Sequence, residues 1–119
     1  MVNSAYQAVI NLTIQGPTGH TRDIEAVVDT GYNGFLTLPS VMVSELGLSF
    51  VSISRATLGD GGEVSFPSYG VTLLWDNRPI RIEADATGNL PLVGMLLLNG
   101  YNLNMDIERC GTVVIRAKE

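Results

Sequence analysis

The sequence predicts an all-β domain, a barrel or a sandwich, with one or two short helices. Short segments rich in β-branched residues recur along the 119 residues, and clusters of glycine, proline, asparagine and aspartate separate them. A hydrophobic content of 45% with 16% charged residues is typical of a folded globular chain. The length suits one hydrophobic core, so we expect a single domain over residues 1–119.

The first half of the chain is expected to form four strands and one helix. Gly16-Pro17-Thr18-Gly19-His20 interrupts the pattern as a hairpin loop between the first two strands. Ser40 is predicted to cap the helix, whose apolar positions are Val41, Met42 and Leu46, and Gly47 to end it. Val43 does not fit this helical spacing. The predicted strands cover residues 6–14, 21–28, 35–38 and 49–58.

Hairpins dominate the second half of the prediction. The glycine-rich turn at residues 59–62 and the turn at 76–78 each separate two strand patterns. A short leucine-rich helix is expected at residues 95–99, and Gly100 ends it. The predicted strands cover residues 63–69, 71–75, 79–84, 101–107 and 112–115.

Composition excludes several classes of partner. The net charge of −5 gives no basic surface for nucleic acid or for anionic lipid. Residues 1–14 lack the pattern of a signal peptide, and the apolar run around residues 95–98 is too short to span a bilayer. Cys110 is the single cysteine, which is consistent with a reducing compartment. We therefore expect a cytoplasmic protein without a nucleic-acid or membrane partner.

The triplet Asp29-Thr30-Gly31 is the sequence feature that points to chemistry. It follows the apolar strand Ala26-Val27-Val28 and occurs once in the chain. A carboxylate on a tight turn after a buried strand is the group with which aspartic peptidases activate water, and that reaction needs two carboxylates sharing one proton. A second copy of the chain would have to supply the other carboxylate. The alternative is an ordinary surface turn, because Asp-x-Gly is common turn chemistry.

A second motif extends the pattern. Leu92-Val93-Gly94-Met95-Leu96-Leu97 begins about sixty residues after the triplet, and a glycine-rich hairpin lies between the two. With this order of elements the chain resembles the retropepsin-like aspartic peptidases, the single-lobed homodimeric group that includes retroviral proteases and bacterial relatives. The resemblance implies a closed β-barrel with a flap hairpin, a homodimer, a peptide or protein substrate, and neither cofactor nor metal.

The resemblance also assigns roles within the triplet. Asp29 would be catalytic and would face Asp29 of the other protomer, with one proton shared between them. Thr30 would direct its hydroxyl across the dimer axis and lock the two turns together. Gly31 would allow the sharp turn and bring a carbonyl within reach of an extended substrate.

The same resemblance identifies a flap and candidate pocket residues. Gly59, Asp60, Gly61 and Gly62 would form the tip of a hairpin that closes over the peptide, although the residues alone favour a simple tight hairpin. Leu90 and Leu92 match positions that line substrate pockets. The alternative for these leucines is ordinary core packing.

Four positions depart from the family pattern. Tyr32 stands where most members have alanine or serine, so it either shapes a substrate subsite or marks a dimer whose cleft does not cut. Asn33 and Met95 replace the acid and the arginine that form an ion pair in retroviral members, so neither charge is left unpaired. Leu96 replaces the Asp or Asn that is common in bacterial relatives.

Other catalytic chemistry has little support in the sequence. His20 is the only histidine, and one histidine with one cysteine and scattered acids is not a metal-ligand set. Two hypotheses remain. The first is a homodimeric aspartic endopeptidase that cleaves extended, largely apolar segments, and the second is a catalytically silent dimer of the same fold that binds peptides or serves as an interaction module. An unrelated barrel with an accidental triplet is a third, weaker alternative.

Overall fold

A computed structural model describes residues 1–57 and 59–118 of the chain. Over these residues the secondary structure consists of nine strands and two short helices. In chain order these are β1 (Val9–Gln15), β2 (Thr21–Val28), β3 (Leu36–Leu38), α1 (Ser40–Leu46), β4 (Ser49–Thr57), β5 (Glu63–Trp75), β6 (Arg78–Ala86), β7 (Leu92–Val93), α2 (Met95–Leu98), β8 (Tyr101–Met105) and β9 (Val113–Ala117). No helix in this described part of the chain has the length and apolar character needed to cross a membrane.

Six strands close into a barrel. Strand β1 pairs with β2, β2 with β7, β7 with β3, β3 with β6 and β6 with β5, and β5 pairs back to β1 through residues 72–74. Strands β8 and β9 form a separate two-stranded antiparallel sheet. The predicted all-β class is confirmed, and the ring of pairings selects the barrel over the sandwich.

The hydrophobic core follows from the alternation within the strands. On β1 and β2, the buried pair Leu12 and Ile24 lies directly across the ladder, whereas their neighbours Thr13 and Asp23 are directed outward. The same alternation buries Val71 and Leu73 on β5 and Ile82, Ala84 and Ala86 on β6. The core consists of Leu12, Ile14, Ile24, Ala26, Leu36, Leu38, Val43, Leu46, Leu48, Val71, Leu73, Ile82, Ala84, Ala86, Val93, Leu97 and Leu98.

Strand β7 determines where the Asp29 turn lies. Its two residues lie between β2 and β3, parallel to the first and antiparallel to the second. Val93 is completely buried at the centre of this three-strand arrangement. Residues distant in sequence, 27–28, 36–37 and 92–93, are thereby fixed side by side.

The hairpin of β4 and β5 extends beyond the barrel. Residues 63–67 of β5 pair with β4, whereas pairing with β6 begins at Ser68. The predicted strands 63–69 and 71–75 are one continuous strand, because Gly70 is paired on both sides, with Ser49 and with Glu83. Leu58, the last residue of the predicted strand 49–58, lies outside the described residues.

Helix α1 ends where predicted but begins one residue earlier, at Ser40, and it has a different capping and a different buried face. Pro39 occupies the N-cap position without a side-chain hydrogen bond, so the prediction that Ser40 caps the helix is wrong. Val43 is buried and Val41 is 69% exposed, which reverses the expectation for these two valines. Gly47 ends the helix with a left-handed φ of 61°, as predicted.

Several strand ends differ from the prediction because local turns take precedence. The side-chain oxygen of Asn3 accepts hydrogen bonds from the backbone N–H groups of Ala5 and Gln7, so β1 begins at Val9 instead of residue 6. Asp76 and Asn77 both have positive φ, which makes a two-residue hairpin turn and lets β6 begin at residue 78. Strand β6 continues to residue 86, α2 ends at residue 98, β8 ends at residue 105, and β9 covers 113–117.

Candidate active site

Asp29 lies on a tight turn directly after β2. Its backbone N–H donates to the Val93 carbonyl oxygen at 2.9 Å, which continues the β2–β7 pairing into the turn. Its Oδ1 accepts a hydrogen bond of 2.9 Å from the Gly31 N–H, and its carbonyl oxygen accepts one of 3.1 Å from the Tyr32 N–H. The half-buried carboxylate is therefore held by the turn that its own sequence forms.

Thr30 and Gly31 form the outer surface of this turn, and both are exposed. Within the described residues the Thr30 hydroxyl has no hydrogen-bond partner. A Cβ on Gly31 would lie 3.3 Å from Asp29 Oδ1, a close contact with the carboxylate that the turn positions. The turn presents one carboxylate and one free hydroxyl on the same exposed edge.

A cavity of about 370 Å³ lies beside this edge. Asp29 and Thr30 line it together with apolar side chains that include Leu92, Met105 and Ile107. Ile107 is 67% exposed, so an apolar surface lies open to solvent next to the turn. Leu90, the other predicted pocket leucine, lines a different depression with Val9 and Val27.

The second sequence motif packs directly against the turn. The Gly94 N–H donates to the Phe35 carbonyl oxygen, and the Met95 N–H donates to the Tyr32 carbonyl oxygen at 2.8 Å. A Cβ on Gly94 would lie 2.2 Å from the Gly34 carbonyl oxygen, so only glycine allows this approach of two backbones. The two motifs that suggested the resemblance are therefore adjacent in space.

Tyr32 is directed away from the exposed edge of the turn. Its ring packs so closely against Gly34 and Gly94 that a Cβ at either position would lie within 2.5 Å of a Tyr32 side-chain atom. Its hydroxyl lies 2.5 Å from Asp85 Oδ2 and 3.2 Å from the Leu36 carbonyl oxygen. Burial, and secondarily the hydrogen bond and charge of Asp85, raise the pKa of Tyr32 far above its ordinary value.

Asp85 on β6 joins Tyr32 to the base of the β4–β5 hairpin. Its Oδ1 accepts hydrogen bonds from Ser68 at 2.6 Å and from Ser54 at 3.1 Å, and the two serine hydroxyls lie 2.5 Å apart. The sequence analysis missed all three of these residues. Alternation places Asp85 on the outward face of β6, but Glu83 occupies the same face, and no pattern in the sequence distinguishes the two acids.

The predicted hairpin tip is exposed and is formed by a tight turn. Gly61 has a φ of 87°, and the Gly62 N–H donates to Asp60 Oδ1 at 2.8 Å. Gly59 has open space around the position of a Cβ. Gly61 therefore has a left-handed backbone that favours glycine, whereas Gly59 does not.

The other chemically active side chains are not gathered into a site. His20 and Cys110 are exposed in separate loops. In the described part of the chain, no group of three His, Cys, Asp or Glu side chains is arranged to hold a metal ion. Asn33 and Met95, at the positions of the absent ion pair, are both exposed.

A solved structure shares this architecture. The chain is similar to EIAV protease in complex with the inhibitor HBY-793, with a TM-score of 0.56 over 83% of this chain and 91% of that one, at 19% sequence identity. The chain has a retropepsin-like fold. It is also similar to a retropepsin-like aspartic protease from Rickettsia conorii, with a TM-score of 0.47 at 15% identity, covering 95% and 96% of the two chains. No protein-family model and no curated protein matches the sequence.

Proposed function

We propose that this chain is one protomer of a homodimeric aspartic endopeptidase. The observation that carries the proposal is the Asp29 turn, a single Asp-Thr-Gly presented at the edge of a barrel with a retropepsin-like fold. Each chain supplies one carboxylate, and the reaction requires two. A second copy related by a two-fold axis supplies the other.

The surface around the turn supports association with a second copy. Thr30 has a free hydroxyl there, and apolar side chains such as Ile107 and Tyr6 are exposed around the adjoining cavity. An interface between copies would bury these groups and bring the two turns together. Thr30 of each protomer would then donate a hydrogen bond across the axis.

The chemistry follows from two carboxyl groups that share one proton. The ionised carboxylate takes a proton from a water molecule as the water oxygen attacks the scissile carbonyl carbon, and the protonated carboxyl group polarises the carbonyl oxygen. The resulting tetrahedral diol collapses when the peptide nitrogen receives a proton and the C–N bond breaks. The substrate is an extended peptide, over which the β4–β5 hairpin closes.

The test is cleavage of an unstructured polypeptide by the wild type and by Asp29→Asn. The amide oxygen of the variant can still accept the Gly31 hydrogen bond, so the turn keeps its fold while the proton-sharing pair is lost. We expect at least a thousandfold loss of activity with an unchanged dimer, since removing a nucleophile-activating group commonly costs about this much or more.

Asp23→Asn is the matched control. Asp23 also lies on β2, and its carboxylate accepts a hydrogen bond from Thr13 that an amide oxygen can keep. The control should cleave like the wild type. Equal activity of Asp29→Asn and the wild type would refute the proposal, as would a wild type that binds peptides but never cleaves them.

We also propose that the protein acts in the cytoplasm. The thiol of Cys110 is exposed and free, and a reducing compartment keeps such a group from oxidising.

A further inference from the structure

We propose that Tyr32 and Asp85 form a positioning link that couples the Asp29 turn to the base of the β4–β5 hairpin. The inference rests on the proposed function, because it assigns these residues a role in the same active site. Neither residue is proposed to contact the reacting atoms. Their role is to hold the catalytic turn and the hairpin in one relative arrangement.

The first step of the link is the attachment of Tyr32 to the turn. Its N–H donates to the Asp29 carbonyl oxygen, and its own carbonyl oxygen accepts from Met95 at the start of α2. Gly34 and Gly94 confine the ring, so a displacement of the ring displaces the turn. A hydrogen bond made by the Tyr32 hydroxyl therefore restrains the position of Asp29.

The second step is the carboxylate that accepts the hydrogen bond from this hydroxyl. Asp85 Oδ2 accepts from Tyr32, and Oδ1 accepts from Ser54 and Ser68. Ser68 is only 1% exposed, and Tyr32, Ser54 and Asp85 are partly buried. Hydrogen bonds to a carboxylate are stronger than those between neutral groups, and the members of a partly buried network support one another.

The third step reaches the hairpin. Ser54 lies on β4, which leaves the barrel with β5, and its hydroxyl also lies 2.5 Å from that of Ser68. Ser54 is three residues before the last described residue of β4, on the way to the tip. Closure of the hairpin over a peptide would therefore act on Asp85, and through Tyr32 on the catalytic turn.

The test compares two variants that break the link with one that keeps it. Tyr32→Phe removes the donor, and Asp85→Leu removes the acceptor. Asp85→Asn keeps a connection, because its amide can donate to the tyrosine oxygen while the tyrosine hydroxyl turns to the Leu36 carbonyl oxygen, which lies 3.2 Å away. Tyr101→Phe is the matched control, since Tyr101 also donates to a carboxylate, that of Asp76, at an exposed position.

The readout is kcat per active site, counted by titration with a tight-binding statine-type inhibitor. We expect Tyr32→Phe and Asp85→Leu to lower kcat roughly tenfold, the size of effect seen when a group that orients a functional residue is removed. KM should stay within about twofold, because the loss concerns the turn and not the binding of peptide. Asp85→Asn should recover most of the activity.

A purely structural role predicts a different result. Fewer active sites would then form, but each would keep the wild-type kcat, and this outcome would overturn the proposal. Equal damage by Asp85→Asn and Asp85→Leu would also overturn it.

Amide hydrogen exchange separates failure of the link from failure of the proposed function. If the wild type does not cleave, the peptidase proposal fails, but the link still predicts faster exchange in Tyr32→Phe at residues 29–34 and at 52–56. Tyr101→Phe should show no change in these two segments. Unchanged exchange in both segments of Tyr32→Phe would refute the link whatever the activity.

Discussion

Tyr32 connects the exposed turn at Asp29 to the polar network beneath it, and its ionisation can be measured directly. Burial and the Asp85 carboxylate both oppose formation of a tyrosinate, so the pKa of Tyr32 is raised. The hydroxyl therefore remains a hydrogen-bond donor throughout the pH range in which a peptidase would work.

We predict that Tyr32 does not ionise in the folded protein near pH 10, the ordinary range for tyrosine. The near-ultraviolet absorbance change on raising the pH should be the same for the folded wild type and for folded Tyr32→Phe. After unfolding in denaturant, the wild type should show the absorbance of one more tyrosinate than the unfolded Tyr32→Phe variant. A larger signal in the folded wild type than in the folded variant would contradict the prediction.

The same shift has a consequence for stability. Below about pH 10 the tyrosine is protonated in both states, so Tyr32 adds no pH dependence. Above this value the unfolded chain releases the proton and the folded chain retains it, which lowers the free energy of unfolding as the pH rises. Tyr32→Phe should remove this part of the alkaline decline.

Local sequence was sufficient to predict the Asp29 turn but not the surroundings of Tyr32. Asp-Thr-Gly encodes its own hydrogen bonds within three residues, so the turn could be inferred without knowledge of the fold. The partner of Tyr32 lies 53 residues away along the chain. Only the pairing of β3 with β6 determines that Asp85 lies within reach.

At the scale of elements, strand pairing makes the β4–β5 hairpin differ from the structure that its sequence pattern predicts. Gly70 was expected to separate two strands, but pairing on both sides makes it part of a continuous strand. Gly70 leaves room for the Arg81 guanidinium, because a Cβ at this position would lie 2.5 Å from one of the guanidinium nitrogen atoms. By contrast, the tip of the same hairpin was predicted well, because its glycines determine the turn locally.

We predict that the glycines of the tip respond differently to alanine. Gly61→Ala should lower the free energy of unfolding by about 1 kcal/mol, because the left-handed φ of 87° disfavours a Cβ. Gly59→Ala is the matched control and should change it little, since it has open space and no positive φ. Urea denaturation at one fixed protein concentration measures both. Equal destabilisation by the two variants would show that the described turn geometry is wrong.

At the scale of the whole molecule, the barrel brings together segments that are separate in sequence. The order of the strands along the chain does not by itself reveal that β7 lies between β2 and β3. The resemblance to the retropepsin-like group implied only a closed barrel. The closed ring of pairings and the similarity to EIAV protease agree with it. Association of two copies follows from a chemical requirement and is still a prediction.

The proposed assembly places two Asp29 turns at one two-fold axis. The exposed apolar side chains beside the turn, Ile107 among them, would give the proposed interface an apolar component, and the free Thr30 hydroxyl would give it a polar one. Peptidase activity should consequently fall on dilution below the dissociation constant of the dimer.

The crystal structure of the protein with a statine-type inhibitor provides the most direct measurement, namely the distance between the Asp29 carboxylates of two protomers. The proposal predicts that these carboxylates lie within hydrogen-bonding distance of each other, with one inhibitor hydroxyl between them. Protomers that associate through another surface, or carboxylates too far apart to share a proton, would contradict it.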